Sequence, residues 1–209
     1  MKGRSIKASP AAETATPPAS EGVCVIVLAA GASVRLGQPK QLLPYQGKTL
    51  LRHATEMALS VGQVTVVLGA HAEQIAPTLD GLPVTIVLAN DWQEGMAASL
   101  RAGITAASDC DATLVMLCDQ PLVTTELLEA LLQEWEPGSI VASDYGEALG
   151  PPCVFDRTYF PELLALTGDL GARKLLKKYP CRTVAFLGGR ADVDTLTDWQ
   201  ALVAPAPPG

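Results

Sequence analysis

The chain has 209 residues, of which 48% are hydrophobic and 18% are charged, and its formal net charge is -7. This composition supports one folded domain, with or without a small subdomain, and excludes a disordered chain. The acidic balance argues against a protein that neutralises many phosphates of DNA or RNA, so nucleic acid is not an expected partner.

The two ends of the chain differ in composition from its middle. Residues 1–21 are rich in Ala, Pro, Ser, Thr and Glu and lack the apolar centre of a secretory signal, which predicts a disordered leader. Residues 205–209 contain only Pro, Ala and Gly and predict a flexible tail, so the folded domain is expected at 22–204. No apolar run approaches the roughly 20 residues that span a bilayer. A cytoplasmic protein without membrane contact is therefore expected.

The five cysteines show no spacing that is typical of a metal site or a redox motif. They are an odd number, and none of them belongs to a C-x-x-C pair. This pattern predicts buried free thiols in a reducing compartment and no zinc site. The thiols expected to be free are Cys24, Cys110, Cys118, Cys153 and Cys181.

The first two thirds of the chain alternate between two apolar patterns. Short continuous runs rich in β-branched residues predict buried strands, and longer stretches with apolar residues at helical spacing predict helices. The predicted order is strand 23–30, helix 49–61, strand 64–68, helix 72–79, strand 84–88, helix 96–107, strand 113–118 and helix 124–135.

After Pro137 the predicted segments become shorter. Their order is strand 139–142, strand 153–155, helix 161–166, helix 171–179, strand 182–186 and helix 196–203. Because strands alternate with helices over most of the chain, right-handed crossovers are expected. The predicted fold class is α/β, with a mostly parallel sheet and helices on both faces.

Three loops are candidates for the binding site. In open α/β sheets, ligands lie beyond the carboxyl ends of the strands. Segments 29–40, 90–99 and 119–121 all begin at such strand ends. We therefore expect these three segments to lie together at one edge of the sheet.

The loop at 28–40 has the sequence L-A-A-G-A-S-V-R-L-G-Q-P-K. Gly31 and Gly37 allow the backbone to approach a ligand closely, so that successive amide groups can face phosphate oxygens. Arg35 and Lys40 supply cations suited to a triphosphate. The loop matches neither G-x-G-x-x-G nor G-x-x-x-x-G-K-[ST], which argues against a nicotinamide dehydrogenase and a P-loop NTPase. By spacing alone, an ordinary loop with two solvated cations stays open.

The sequence A-A-G-A-S-V-R-L-G-Q-P-K-Q-L-L-P at 29–44 resembles the signature of the MobA-like NTP transferases, in particular the molybdenum cofactor cytidylyltransferase group. The likeness continues, in the same order, at four further segments, which are 90–104, 117–121, 168–173 and 192–195. This resemblance implies a Rossmann-like nucleotidyltransferase fold for the domain at 22–204. It also implies that Arg35 and Lys40 act on the triphosphate, with Asp119 as a third catalytic residue.

Two carboxylates are candidate metal ligands. Asp119 follows an apolar strand at the ligand edge of the sheet, and Mg²⁺ is usually held by one or two carboxylates together with substrate phosphates. A turn-forming role before Pro121 is the alternative for Asp119. The resemblance implies that Asp194 shares the metal with Asp119. Asp192 is the alternative ligand, and helix capping is the alternative role for Asp194.

The resemblance also implies the residues that bind the nucleotide. Those expected around the triphosphate, base and ribose are Leu28, Ala29, Ala30, Gly31, Ser33, Arg35, Lys40, Asn90, Gly95, Met96 and Ser99. Ala30 resembles the cytidylyl members, whereas guanylyl members tend to carry Gly there. CTP is therefore the expected nucleotide, with GTP and ATP open.

The segment at 168–173 is the candidate acceptor site. It opens a predicted helix, whose first amide groups can hold an acceptor phosphate. The expected contacts come from Gly168, Asp169, Gly171 and Arg173. An interhelix turn with a solvated arginine is the alternative.

The resemblance implies a magnesium-dependent transfer of CMP from CTP to the phosphate of molybdenum cofactor, the molybdopterin, with release of pyrophosphate. A molybdoenzyme is then a candidate protein partner. Two alternatives stay open: a sugar or polyol phosphate as the acceptor, and a protein that binds molybdenum cofactor and inserts it into a partner without catalysis.

Overall fold

The computed structural model describes residues 22–169 and 171–204. The predicted leader at 1–21 and tail at 205–209 lie outside the described residues.

Strands and helices alternate along this part of the chain. Its strands are β1 (Val23–Ala29), β2 (Pro44–Tyr45), β3 (Lys48–Thr49), β4 (Gln63–Leu68), β5 (Val84–Leu88), β6 (Ala112–Leu117), β7 (Ile140–Asp144), β8 (Leu149–Asp156) and β9 (Arg182–Ala185). Its α-helices are α1 (Leu50–Leu59), α2 (Ala72–Ile75), α3 (Met96–Ala106), α4 (Thr125–Glu134), α5 (Phe160–Leu164), α6 (Arg173–Lys178) and α7 (Leu196–Val203). Short 3₁₀ turns lie at Lys40–Leu42, Ala76–Leu79, Trp92–Glu94, Arg157–Tyr159 and Leu187–Arg190.

Seven strands form one sheet in the order β5-β4-β1-β6-β8-β7-β9, and β2 pairs with β3 in a small hairpin. The first four strands of the sheet are parallel, with Ala29 of β1 opposite Leu68 of β4, and Leu68 opposite Leu88 of β5. β8 runs antiparallel to both β6 and β7, and β9 is parallel to β7. The carboxyl ends of β1, β4, β5 and β6 therefore meet at one edge.

Alternation along β1 divides the core between the two faces of the sheet. Val25 and Val27 pack into a cluster with α1 and α4, whereas Ile26 and Leu28 pack into a second cluster with α3, α5 and α6. Because a fully buried aliphatic side chain contributes about 1.5–3 kcal/mol, continuous apolar strands favour a sheet that is covered on both sides. The predicted mostly parallel α/β fold with helices on both faces is confirmed.

The structure differs from the sequence prediction in three local details. The predicted helix at 72–79 is a short α-helix followed by a 3₁₀ turn, since Pro77 has no backbone N–H to donate. The strand expected at 153–155 is the longer β8, which pairs with two neighbours. The β2–β3 hairpin was not predicted, because two-residue strands leave no periodicity.

The cysteine prediction is wrong for two residues. Cys24 of β1 and Cys110, in the turn before β6, form a disulfide with their Cα atoms 6.1 Å apart. Cys118, Cys153 and Cys181 are free, the first two buried. Parallel pairing of β1 with β6 brings the disulfide partners together although 86 residues separate them. Cysteine usage therefore gives no support for a reducing compartment.

None of the helices described here is long and apolar enough to cross a membrane.

Candidate active site

Gln41, whose side chain is completely buried, holds the loop after β1 in place. Its Nε2 atom donates hydrogen bonds to the carbonyl oxygens of Ala29 at 2.8 Å and of Gly31 at 2.9 Å. Buried carbonyl oxygens need such partners, because an unpaired one costs free energy comparable to a lost hydrogen bond. Gln41 therefore sets the path of the backbone that follows β1.

Ser33 closes the same loop from the other side. Its backbone has φ 54°, and Gly37 has φ 76°, a left-handed conformation that glycine adopts readily. The hydroxyl of Ser33 accepts a hydrogen bond from the backbone N–H of Lys40 at 3.0 Å. These contacts fold the loop back on itself, so that Lys40 returns to the sheet edge near the end of β6.

Lys40 joins the two carboxylates that were predicted as metal ligands. Its Nζ atom contacts Oδ2 of Asp119 and lies 3.1 Å from Oδ1 of Asp194. Arg35 approaches the other oxygen of Asp194, with Nη2 2.7 Å from Oδ2. The side chains of Lys40 and Asp119 are only 16% and 11% exposed, whereas that of Arg35 is 71% exposed. The structure thus brings together four predicted site residues that lie far apart in the sequence.

The cluster keeps its charges because the opposite charges face one another. Burial alone would lower the pKa of Lys40, but the Asp119 carboxylate and hydrogen bonds to Asp119 and Asp194 outweigh burial and raise it. Burial acts against ionisation of Asp194, yet Lys40 and Arg35 hold the pKa of that carboxyl below its usual value. The site therefore presents an ammonium and an ionised carboxylate at neutral pH.

Backbone contacts hold the two carboxylate segments against each other. The N–H of Val193 donates to the carbonyl oxygen of Asp119 at 3.0 Å, and the Val193 side chain is 1% exposed beside Leu43. Thr195 and Asp198 form a capping box at the start of α7. Asp194 is thus fixed between a buried residue and a helix cap.

The residues present fit a divalent cation. Oδ1 of Asp119 is buried and has no hydrogen-bond partner within the described part of the chain. Asp119 and Asp194 both contact the ammonium group of Lys40, so their carboxylates lie close together. Residues 22–169 and 171–204 contain no group of three or more His, Cys, Asp or Glu side chains arranged to hold a metal. Two carboxylates completed by substrate phosphates and water are the set that Mg²⁺ usually takes.

A cavity of about 330 Å³ opens beside this cluster, a size suited to a small ligand. The predicted nucleotide residues that line it are Leu28, Ala29, Ala30, Gly31, Lys40, Gly95, Met96 and Ser99, together with Asp119. Ser33 and Arg35 do not line it and act through the loop. Asn90 is exposed and does not line the cavity, because the chain turns away after β5 and Trp92 takes the place at the wall.

The predicted acceptor segment packs directly on the nucleotide cavity. Asp169 lines both this cavity and a second, largely apolar one of about 180 Å³, which Gly171 and Arg173 also line. The carbonyl oxygen of Gly168 accepts a hydrogen bond from the N–H of Ala97, in the first turn of α3, at 3.0 Å. The two predicted substrate sites are therefore neighbours that share a wall.

A wider cleft of about 670 Å³ continues from Arg173 toward Asp192. Tyr145 and Lys177 line it, and the Tyr145 hydroxyl accepts a hydrogen bond from Nε2 of Gln120 at 3.0 Å. Arg173 belongs to both the apolar cavity and this cleft. Arg173 therefore lies where the two spaces meet.

Asp192, at the end of this cleft, has a carboxyl group with a raised pKa. Burial raises its pKa to about 6, and the neighbouring Asp119 carboxylate acts in the same direction. Its Oδ1 atom has no hydrogen-bond partner among the residues described. The folded protein therefore binds a proton at Asp192 more tightly than the unfolded chain, whose aspartates have a pKa of about 3.9.

Replacing Asp192 by asparagine is expected to raise the melting temperature Tm more at pH near 8 than at pH near 4. A raised carboxyl pKa stabilises the fold fully below the unfolded pKa, and that contribution is lost as pH rises through about 6. Thermal unfolding in EDTA, without nucleotide, at several pH values measures this difference.

Asp198→Asn is the matched control, and its expected change in Tm has the opposite sign. The hydrogen bonds from Thr195 lower the pKa of the Asp198 carboxyl, so this substitution should lower Tm near pH 8. A gain for Asp192→Asn that does not change with pH would contradict the assigned environment of Asp192.

Two residues of the site, the buried amides Gln41 and Gln120, had no predicted role. Asp192, with its raised pKa, was predicted only as the alternative metal ligand. Gln41 and Gln120 belong to the motif segments 29–44 and 117–121, and this membership was the available signal. Their contacts depend on loop paths that the sequence pattern does not specify.

Comparison with known proteins places this site in a family. A family model described as the MobA-like NTP transferase domain matches residues 25–184. Nicotine blue oxidoreductase of Paenarthrobacter nicotinovorans is 38% identical over an alignment of 166 residues that covers 74% of this chain and 81% of that protein. Purine catabolism protein PucB of Bacillus subtilis is 31% identical over an alignment of 186 residues that covers 81% of this chain and 90% of that protein.

Solved structures agree with the architecture. The crystal structure of Rv0371c from Mycobacterium tuberculosis H37Rv is 33% identical and has a TM-score of 0.78, covering 87% of this chain and 97% of that one. A complex of the same protein with manganese is 31% identical with a TM-score of 0.74, covering 87% and 98%. A nucleotidyl transferase from a Methanothermobacter, 23% identical with a TM-score of 0.77 over 88% and 96% of the two chains, shows the same fold.

Proposed function

Because the chain belongs to the MobA-like NTP transferase family, we propose that it transfers CMP from CTP to the phosphate of molybdenum cofactor, with release of pyrophosphate. The observation that carries this proposal is the contact of Lys40 with both Asp119 and Asp194, since Lys40 and Asp119 line the cavity. One ligand in this cavity meets the Lys40 cation, the Asp119 carboxylate and the loop after β1 together.

The triphosphate binds along the loop after β1. Lys40 serves as a point charge for the phosphates, and the exposed guanidinium of Arg35 serves as a fork. Ser33 adopts a left-handed backbone conformation, with φ 54°, and backbone N–H groups in such a turn can form a concave site for an anion. Ala30 in the cavity wall favours CTP over GTP, by resemblance to the cytidylyl members.

Asp119 and Asp194 hold Mg²⁺ in this proposal. The buried, unpartnered Oδ1 of Asp119 and the shared cation of the two carboxylates support the assignment. The manganese complex of the 31% identical mycobacterial protein adds support for a divalent ion. When bound, the ion neutralises charge on the phosphates as pyrophosphate leaves.

The reaction is an in-line attack of an acceptor phosphate oxygen on the α-phosphorus of CTP. A new P–O bond forms to the acceptor, and the bond to pyrophosphate breaks. Because a phosphate monoester is already an anionic nucleophile, no strong general base is required. Arg173, between the apolar cavity and the wider cleft, orients the acceptor phosphate. Catalysis then rests on positioning and on charge neutralisation by Lys40 and Arg35.

The acceptor separates this proposal from its nearest alternatives. The apolar cavity of about 180 Å³ and the cleft beyond it favour a ring system that carries a phosphate over a small, polar sugar or polyol phosphate. A non-catalytic protein that inserts molybdenum cofactor into a molybdoenzyme would need no triphosphate site. The ion cluster of Lys40, Asp119 and Asp194 favours the enzyme.

A second candidate function is oxidoreduction. It is favoured by the name of the 38% identical relative, nicotine blue oxidoreductase. It predicts a redox turnover that needs no nucleoside triphosphate and releases no pyrophosphate.

Pyrophosphate release tests the proposed function. The purified protein is incubated with Mg²⁺ and with CTP, GTP or ATP, each with and without molybdenum cofactor. We expect rapid release only when CTP and the cofactor are both present, and none in EDTA. Release with a sugar phosphate but not with molybdenum cofactor would assign the acceptor to the other class. Cofactor binding without release under any condition would contradict the enzyme assignment.

A further inference from the structure

The ammonium group of Lys40 contacts both carboxylates that hold the metal in the proposed function. Nζ contacts Oδ2 of Asp119 and is 3.1 Å from Oδ1 of Asp194. These two side chains are the metal ligands named above, so this inference rests on the proposed function. One oxygen of each carboxylate is thus already engaged by a positive charge.

A divalent ion and this ammonium cannot bind the same oxygens at once. Mg²⁺ binds carboxylate oxygens at about 2.0–2.1 Å. An ammonium that keeps its contacts with both carboxylates would then lie within a few Å of the ion, and like charges at such a separation repel strongly in a partly buried site. Metal binding to these carboxylates is therefore weakened for as long as Lys40 keeps both contacts.

Lys40 can leave this position without any rearrangement of the main chain. Its backbone N–H is held by the hydroxyl of Ser33 at 3.0 Å, so the residue keeps its place at the base of the loop. Its side chain is a flexible four-carbon stem with a compact charge. The nucleotide cavity, which Lys40 also lines, gives the ammonium a second place to go.

We propose that Lys40 is an internal counter-ion that competes with the metal for Asp119 and Asp194 until a triphosphate draws it away. The phosphates then satisfy the ammonium and free the carboxylates, so nucleotide and metal bind cooperatively. When pyrophosphate leaves, the ammonium returns and weakens the hold on the ion. Lys40 thus couples metal affinity to occupation of the nucleotide site.

Binding of Mn²⁺, followed by the electron paramagnetic resonance signal of the free ion, tests this coupling. Without nucleotide, Lys40→Gln is expected to bind Mn²⁺ about tenfold more tightly than the wild type, since a nearby positive charge is removed. A non-hydrolysable CTP analogue should tighten Mn²⁺ binding in the wild type by much more than in Lys40→Gln. Equal or weaker binding by Lys40→Gln without nucleotide would overturn the proposal.

Two further variants separate this inference from the proposed function. Lys48→Gln removes an exposed lysine that pairs with Glu56, and it should leave Mn²⁺ affinity unchanged. Asp119→Asn should weaken Mn²⁺ binding with or without the analogue. If Asp119→Asn binds Mn²⁺ normally, the metal site itself is wrong. If Asp119→Asn weakens Mn²⁺ binding but Lys40→Gln binds Mn²⁺ as the wild type does, the metal site is correct and the counter-ion role of Lys40 is wrong. Lys40→Gln with the same Tm as the wild type excludes misfolding as the cause.

Discussion

Asp119→Asn is expected to reduce the rate of nucleotidyl transfer by about a thousandfold, while the protein stays folded. Asp119 follows β6 at the sheet edge, and its carboxylate is buried and contacts Lys40. Asparagine keeps the shape of the side chain but removes the charge that holds the divalent ion. Initial rates of pyrophosphate release at saturating CTP and Mg²⁺, together with Tm, measure the two effects separately.

Asp111→Asn is the matched control for this prediction. Asp111 lies just before the amino end of the same strand, where its exposed carboxylate pairs with Arg157. Its substitution should leave the transfer rate within about twofold of the wild type, because exposed ion pairs contribute little. A near-normal rate for Asp119→Asn would show that the metal does not bind at this carboxylate.

Gln41→Leu should raise the KM for the nucleoside triphosphate by about tenfold and lower the free energy of unfolding by about 1–3 kcal/mol. Leucine fills a similar volume but donates no hydrogen bond, so the carbonyl oxygens of Ala29 and Gly31 lose their partner. The loop after β1 then loses the path that presents its amides to phosphates. Steady-state kinetics over a range of CTP and chemical denaturation measure both quantities.

Gln74→Leu serves as the control, because Gln74 is an exposed residue of α2 outside the nucleotide cavity. It should change neither KM nor stability by a comparable amount. If Gln41→Leu lowers stability but leaves the KM unchanged, Gln41 is a core residue without influence on the nucleotide.

The strands and helices, and the edge of the sheet where the candidate site lies, could be predicted from the sequence. Buried parallel strands appear in a sequence as continuous apolar runs, and that signal predicted β1, β4, β5 and β6 near their observed bounds. Since the carboxyl ends of parallel strands share an edge, the loops that follow them had to converge. The contact between Lys40 and Asp119 follows from that convergence.

Other features depend on long-range geometry that no local pattern specifies. Cys24 and Cys110 form a disulfide because β1 lies beside β6 in the sheet, and their spacing in the sequence does not indicate this pairing. The sequence pattern predicted Asn90 at the wall of the cavity, but the turn that precedes Trp92 leaves Asn90 exposed to solvent. Gln41 occupies a core position through hydrogen bonds to a loop whose path the sequence left open.

The shared wall at Gly168 and Asp169 has a consequence for how such proteins change their preferences. The carbonyl oxygen of Gly168 bonds the first turn of α3, and Asp169 lines both the cavity beside Lys40 and the apolar space beyond it. Under the proposed function, a substitution there that adapts the protein to a new acceptor also reshapes the pocket for the base and ribose. The two selectivities would then change together, and a new second substrate would require compensating changes around the first.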